Sequence, residues 1–168
     1  MPKLIVDRQI VDNTATLLRN DEAGEFAAVP AAGTVIVPLA QYLAQKAALT
    51  ARGEFGVWFG PDDEPEALGA DAASLSLIAV EFPAFTDGRG FSIGRLLRER
   101  YGFAGELRAF GDVFKDTLNY LTRCGFNAFV IREDKDIDEA LKGLDDFTES
   151  YQSSVAQPMP LFRRRQLG

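Results

Sequence analysis

The sequence predicts an α/β fold: an open, mostly parallel sheet of about five βα units, in a three-layer or, second, a partial-barrel arrangement. Three observations carry that expectation. Short apolar, β-branched runs recur along the C-terminal two-thirds of the chain, stretches with helical spacing separate them, and glycine or proline marks most of the joins. Buried parallel strands read as continuous apolar runs, and helices usually make their crossovers. About five units fall short of the eight that close a βα barrel.

The elements follow in order. KLIV and QIV form a small hairpin or edge strands around residues 7–9. TVIVPLA (34–40) is a β-branched strand, and Pro38 suits the first turn of the helix that follows. That Ala-, Leu- and Gln-rich run reaches Ala51, with Gly53 as its stop. FGVWFG (55–60) is the next strand, with Trp58 at least half buried. PDDEPEALGADAASL is a loop with at most a short helix. SLIAVEFP (76–83), GELRAFGD (105–112) and NAFVIRED (127–134) are further strands. Ile93, Leu96, Leu97 and Tyr101 fall on one helical face, ended by Gly102. Phe114, Thr117, Leu118, Leu121 and Cys124 repeat the pattern up to Gly125. Asp136 and Glu139 read as a capping box before Ile137, Ala140, Leu141, Leu144 and Phe147. The expected organisation is one domain over 1–157, with 1–33 as an N-terminal edge segment. An extended tail follows at 158–168, where Pro158 and Pro160 discourage helix.

Composition excludes several classes of function. Of 168 residues, 46% are hydrophobic and 26% charged, which suits a globular domain with a real core. No apolar run approaches the roughly 20 residues of a membrane span. The N-terminus lacks signal-peptide regions, so a cytoplasmic location is the default expectation. The net charge of −7 argues against a nucleic-acid surface. With no histidine and one cysteine, the chain has no Ser-His-Asp or Cys-His system, no Cys/His zinc site and no iron–sulfur ligand set. A metal site would need oxygen ligands alone, and no EF-hand spacing is present, so no metal site is expected. Redox chemistry would require a borrowed flavin or nicotinamide, or a partner that carries the redox group; no intrinsic cofactor is expected.

One loop stands out. In parallel α/β sheets ligands bind beyond the carboxyl ends of the strands, which selects residues 60–63, 85–92, 111–115 and 132–135. The second of these carries TDGRG. Gly88 and Gly90 permit positive φ and close backbone approach. The helix behind offers free N–H groups, and Arg89 offers a planar fork for an oxyanion. Thr86, Gly88, Arg89, Gly90 and Ser92 are the candidate anion cradle, with Lys115 and Arg132 as a basic rim. Asp87 and Asp112 are the candidate acid–base groups, Asp112 facing Arg89 across neighbouring strand ends. Plainer roles exist for each. Thr-Asp-Gly is ordinary turn chemistry, and Asp112 suits an N-cap. Arg95 and Glu99 read as a surface ion pair, Arg98 and Arg100 as solvated, and Cys124 as a buried structural thiol. In the tail, PMPLFRRR joins a stiff proline segment to an apolar pair and three arginines. Leu161, Phe162, Arg163 and Arg164 are the candidate partner contacts. The expected roles of the tail are packing on its own domain, a swap into a homodimer or docking onto another protein, against the plainer one of a frayed end with a solubilising charge cluster.

The run LIAVEFPAFTDGRGFSIGRLLRERYGFAGELRAFGDVFKDTLNYLTRCGFNAF (77–129), with DDFTESYQ and QPMPLFRRR after it, resembles a bacterial family, domain of unknown function 934. Its motif falls here on Phe82, Pro83, Phe85, Thr86, Asp87, Gly88, Arg89 and Gly90, then on Gly111, Asp112, Arg123, Cys124 and Gly125. The resemblance implies a setting in assimilatory sulfite reduction, since members are typically encoded beside sulfite reductase and often labelled oxidoreductases. It implies no catalytic residues. Three functions are then open. The chain is an accessory protein that binds sulfite reductase or a small oxyanion. Or it is an oxidoreductase with a borrowed nucleotide or flavin cofactor. Or it is a phosphometabolite-binding module.

Overall fold

A computed structural model describes residues 2–84 and 86–151, with residues 145–151 as helical backbone alone. Eight strands form one sheet: β1 (Lys3–Val6), β2 (Gln9–Asp12), β3 (Thr16–Leu17), β4 (Val35–Pro38), β5 (Phe55–Phe59), β6 (Leu77–Phe82), β7 (Glu106–Gly111) and β8 (Ala128–Phe129). Four α-helices accompany them: α1 (Leu39–Arg52), α2 (Arg89–Glu99), α3 (Lys115–Arg123) and α4 (Ile137–Tyr151). The order across the sheet is β2-β1-β8-β7-β6-β5-β4-β3. Strands β3 to β8 run parallel, whereas β1 pairs antiparallel with β8 and β2 antiparallel with β1.

The sheet is therefore mixed. The β1–β2 hairpin turns on Asp7 and Arg8, both at positive φ (49° and 69°), the turn form that matches strand twist. Only four of the expected βα units hold an α-helix, because residues between β5 and β6 form two short 3-10 helices, Pro65–Ala67 and Gly69–Ser74. β8 is two residues long; the NAFVIRED run leaves the sheet to reach a turn that Lys135 N closes onto Arg132 O at 3.0 Å. Asp136 caps α4 as expected, its carboxylate accepting from Asp138 N at 2.9 Å, but Glu139 turns to Lys115 instead of closing a capping box. Asp112 is not the cap of α3. Phe114 holds that position, and the Thr117 hydroxyl closes it, accepting from Phe114 N and donating to Phe114 O.

Period-two alternation sorts every strand into two faces. On one face Val37, Val57, Ile78 and Leu107 form a row, and Phe59, Val80, Ala109 and Phe129 form the next. All four helices pack there, through Leu39, Tyr42 and Leu49 of α1, Ile93 and Leu97 of α2, Leu118 and Leu121 of α3, and Ala140 and Leu144 of α4. The opposite face carries a second, smaller cluster of Ile36, Leu77 and Ala79 with Leu17, Trp58 and Phe110 against it. Helices thus cover one side only, and a three-layer arrangement is replaced by a helix layer outside a curled sheet. Strand order follows chain order from β3 to β8, so each crossover steps the same way and its helix falls on the same face.

The curl has a covalent cause. β2 and β3 lie at opposite edges of the sheet, yet only residues 13–15 join them. In a flat eight-stranded sheet those edges would be roughly 34 Å apart. The connection reaches about 14 Å at full extension. The sheet must therefore roll until its edges nearly meet. Asn13 N bonded to Pro2 O, and Thr16 N bonded to Thr34 O, fasten the bridge at both ends (2.9 Å each).

Arg98, expected on a solvated face, is instead folded inward. Its guanidinium donates to Gly125 O (2.8 Å), Phe103 O (3.0 Å), Gly105 O (2.9 Å) and Asn127 Oδ1 (3.2 Å). Asn127 Oδ1 also accepts from Leu107 N, and its amide donates to Asp7. One side chain on α2 thereby fixes the starts of β7 and β8 and the turn of the β1–β2 hairpin. Burial lowers its pKa to about 10, and Asp7 is the charge that opposes that shift. Arg98→Ala leaves three carbonyls without their donor and should cost about 3 kcal/mol in urea unfolding. Arg98→Lys should recover less than half of that, since one ammonium cannot span all four acceptors. A loss under about 1 kcal/mol for Arg98→Ala would contradict this role.

Candidate functional site

The carboxyl ends of β6 and β7 carry most of the residues singled out from sequence. Phe85 and the tail residues Leu161, Phe162, Arg163 and Arg164 lie outside the described residues. Among the rest, Asp87 precedes α2 and turns its carboxylate onto the helix N-terminus, accepting from Arg89 N at 3.1 Å. The same carboxylate takes the Arg89 fork, with Nε at 3.0 Å and Nη2 at 2.7 Å. Asp62 holds the remaining Nη1 at 2.6 Å. Gly88 and Gly90 both avoid positive φ. Gly90 is required for another reason, since a Cβ there would run into the Phe82 ring. Thr86 and Ser92 are exposed.

The second carboxylate is paired as well. Asp112 accepts from Arg132 Nη1 at 2.8 Å, and Arg132 also grips Asp134 through Nε and Nη2 (3.1 and 2.9 Å). The expected pairing of Asp112 with Arg89 is thus replaced by two separate pairs. Lys115 faces Glu139 at 3.9 Å. This end of the sheet brings the predicted residues together but satisfies them internally: the anion in the TDGRG cradle is the chain's own Asp87. Hydrogen bonds from Arg89 hold the Asp87 carboxyl at about 2, far below its ordinary range. A carboxyl in that state is a poor general acid or base near neutrality.

Cys124 is buried beside Arg95, whose Nη2 lies 3.6 Å from the sulfur. Burial pushes the thiol pKa up, against the smaller pull of Arg95, which makes it a weak nucleophile.

The rolled sheet supplies two cavities. Inside it, Arg108 is nine-tenths buried and spans the wall between two cavities. It shares one row with Ala79 and Ala128, whose small side chains leave room for the guanidinium. Its Nε donates to Glu106 at 2.7 Å and its Nη1 to Asn13 at 3.2 Å, so the bridge across the seam is bonded to the inner wall. The inner cavity, about 190 Å³, is lined by Leu17, Ile36, Ala79, Phe110 and Val130 around these polar groups. Near its carboxyl-end exit, Arg19 lies 4.9 Å from the Trp58 ring and 2.7 Å from Glu81, a cation held between an aromatic face and a carboxylate.

The outer cavity opens at the amino ends of the parallel strands and measures about 690 Å³. Leu4, Val11, Phe55 and Leu77 form its apolar walls; Asp7, Asp12, Glu54 and Glu106 supply carboxylates. It lies at the opposite end of the sheet from the TDGRG loop. Sequence reasoning missed this region and its residues Asn13, Arg19, Glu81 and Arg108. One signal was present. A strand buried on both faces is apolar throughout, so Glu81 in LIAVEF and Arg108 in ELRAFG mark a second face that is partly polar.

The Asp87–Arg89 pair gives a pH prediction. Asp87 sits at about 2 in the folded chain against 3.8 ordinarily. A depressed carboxyl stabilises the fold above its unfolded pKa, so that stabilisation is complete above about pH 4 and lost as pH falls through 2. Carboxyl-detected NMR titration should place Asp87 near 2, and Arg89→Ala should return it towards the ordinary range. An Asp87 titrating near 4 in the unmodified chain would refute the pairing.

A family model described as "Bacterial protein of unknown function (DUF934)" matches residues 56–162, from the second residue of β5 through both paired carboxylates and into the tail. No curated protein and no solved structure matches the chain. With well over half its length matched, including the whole Asp87–Arg89 and Asp112–Arg132 end of the sheet, the chain belongs to the DUF934 family of bacterial proteins.

Proposed function

We propose that this protein is an accessory factor of assimilatory sulfite reduction that works by binding sulfite reductase. One observation carries the choice of binding over catalysis: both candidate acid–base carboxylates are committed to arginines, Asp87 to Arg89 and Asp112 to Arg132. The lone thiol is buried with a raised pKa, so the described residues offer no activated nucleophile of their own. The pathway comes from the family resemblance. A free sulfite or phosphate ester at the TDGRG loop is disfavoured, because it would have to displace Asp87 from both Arg89 and the α2 N-terminus.

The contact is assigned to Leu161, Phe162, Arg163 and Arg164. An apolar pair followed by consecutive arginines provides both a buried anchor and a steering charge. A tagged full chain incubated with purified sulfite reductase should retain it. A variant carrying Leu161→Ala, Phe162→Ala, Arg163→Ala and Arg164→Ala should lose at least tenfold in retention. If the unaltered chain retains no reductase, the proposal fails.

A further inference from the structure

The acid-lined outer cavity has no occupant among the described residues, and the chain carries a segment of matching chemistry. Of the four carboxylates on its lining, Glu106 pairs with Arg108 and Asp12 with Lys3 (2.7 Å each), and Asp7 accepts from Asn127 and feels the charge of Arg98. Its apolar walls include Val11, one of four exposed large hydrophobic side chains among the described residues. Residues 152–168 contain three arginines, no acidic residue, and the apolar pair Leu161 and Phe162 directly before the arginines. An apolar floor with an acidic rim complements an apolar-then-basic segment in both respects.

The course of α4 brings that segment to the right end of the sheet. α4 starts near the carboxyl ends of the parallel strands, where Glu139 meets Lys115. It then descends beside α3. Leu144 shares a cleft of about 240 Å³ with Thr122, Asn127 and the hairpin-turn residues Asp7 and Arg8. Asp7 also lines the outer cavity, so the helix arrives at the rim of that cavity. The ten residues from Tyr151 to Leu161 reach about 33 Å when extended, enough to pass around the rim.

We propose that the outer cavity is the docking site for the chain's own C-terminal segment, with Leu161 and Phe162 on the Leu4, Val11 and Leu77 wall and Arg163–Arg165 on the carboxylates. This concerns the free chain and does not rest on the sulfite-reduction reading; a reductase that binds the same segment competes with the cavity for it.

Disulfide trapping in the full-length chain tests it. One variant carries Thr14→Cys, on the cavity lining, with Phe162→Cys. A second carries Ser92→Cys, exposed at the other end of the sheet, with Phe162→Cys. Under mild oxidation the first pair should close within one chain at least tenfold faster than the second. Reversing Arg163, Arg164 and Arg165 to Glu should slow the first pair to the rate of the second, with the far-UV circular dichroism unchanged. Equal rates for the two pairs overturn the proposal. So does a disulfide that forms only between chains, which would place the segment on a second copy, and so does a rate that survives charge reversal. Loss of reductase binding in the retention experiment leaves this result untouched, so the two readings fail separately.

Discussion

A sheet eight strands wide has its two edges tied together by residues 13–15, and most of the architecture follows from that short tie. The chain cannot cross a flat sheet of this width in so few residues, so the sheet rolls. Rolling gives the sheet an inside and an outside. The outside takes α1, α2 and α3 because every crossover between the parallel strands steps in the same direction, and α4, which follows β8, packs beside α3 on the same side. The inside is left to the smaller cluster around Ile36, Leu77 and Ala79, to the bridge itself, and to cavities at its ends. The antiparallel hairpin β1–β2 completes the width by pairing with β8, whose two-residue length would otherwise leave a weak edge.

Two arginines, Arg98 half-buried and Arg108 buried, keep this shape from slipping, and each does so by satisfying polar groups that rolling takes away from water. Arg98 serves the outside. It collects three backbone carbonyls and Asn127, which then holds Asp7 of the hairpin turn. Arg108 serves the inside, joining Glu106 on the wall to Asn13 on the tie. A guanidinium suits both places because its planar set of donors meets several fixed acceptors at once, which a lysine ammonium does less well. Close packing supports the same joints, since the α2 glycines Gly90 and Gly94 sit under the rings of Phe82 and Phe126.

The two ends of the rolled sheet differ in chemistry. At the carboxyl end each of two arginines is shared between two carboxylates: Asp87 and Asp62 on Arg89, Asp112 and Asp134 on Arg132. The usual expectation for parallel sheets, a ligand beyond the carboxyl ends at a reversal of strand order, has no purchase here, because the order does not reverse between β3 and β8. At the amino end the carboxylates outnumber the cations around an open apolar-walled space. What distinguishes the amino end is that its carboxylates surround a cavity, away from the loop that the sequence makes conspicuous.

By itself the sequence determined the elements. Its apolar runs marked β4 to β7 to within a residue or two, its helical spacing marked α2, α3 and α4, and KLIV–QIV marked the hairpin. It also ruled out Ser-His-Asp and Cys-His systems and Cys/His zinc sites, because the chain has no histidine and one cysteine. These features are local or compositional, and periodicity and counting read them directly. Tertiary structure decided the roll of the sheet, the inward turn of Arg98, the separate pairing of Asp87 and Asp112, and the position of the cavities. Each depends on contacts between residues far apart in the chain: Asn13 with Arg108, Arg98 with Asn127, Arg89 with Asp62. A guanidinium has the same sequence signature whether it faces solvent, a carbonyl or a carboxylate. Only the approach of a distant segment selects among them, and here a three-residue tie between two sheet edges set which segments could approach.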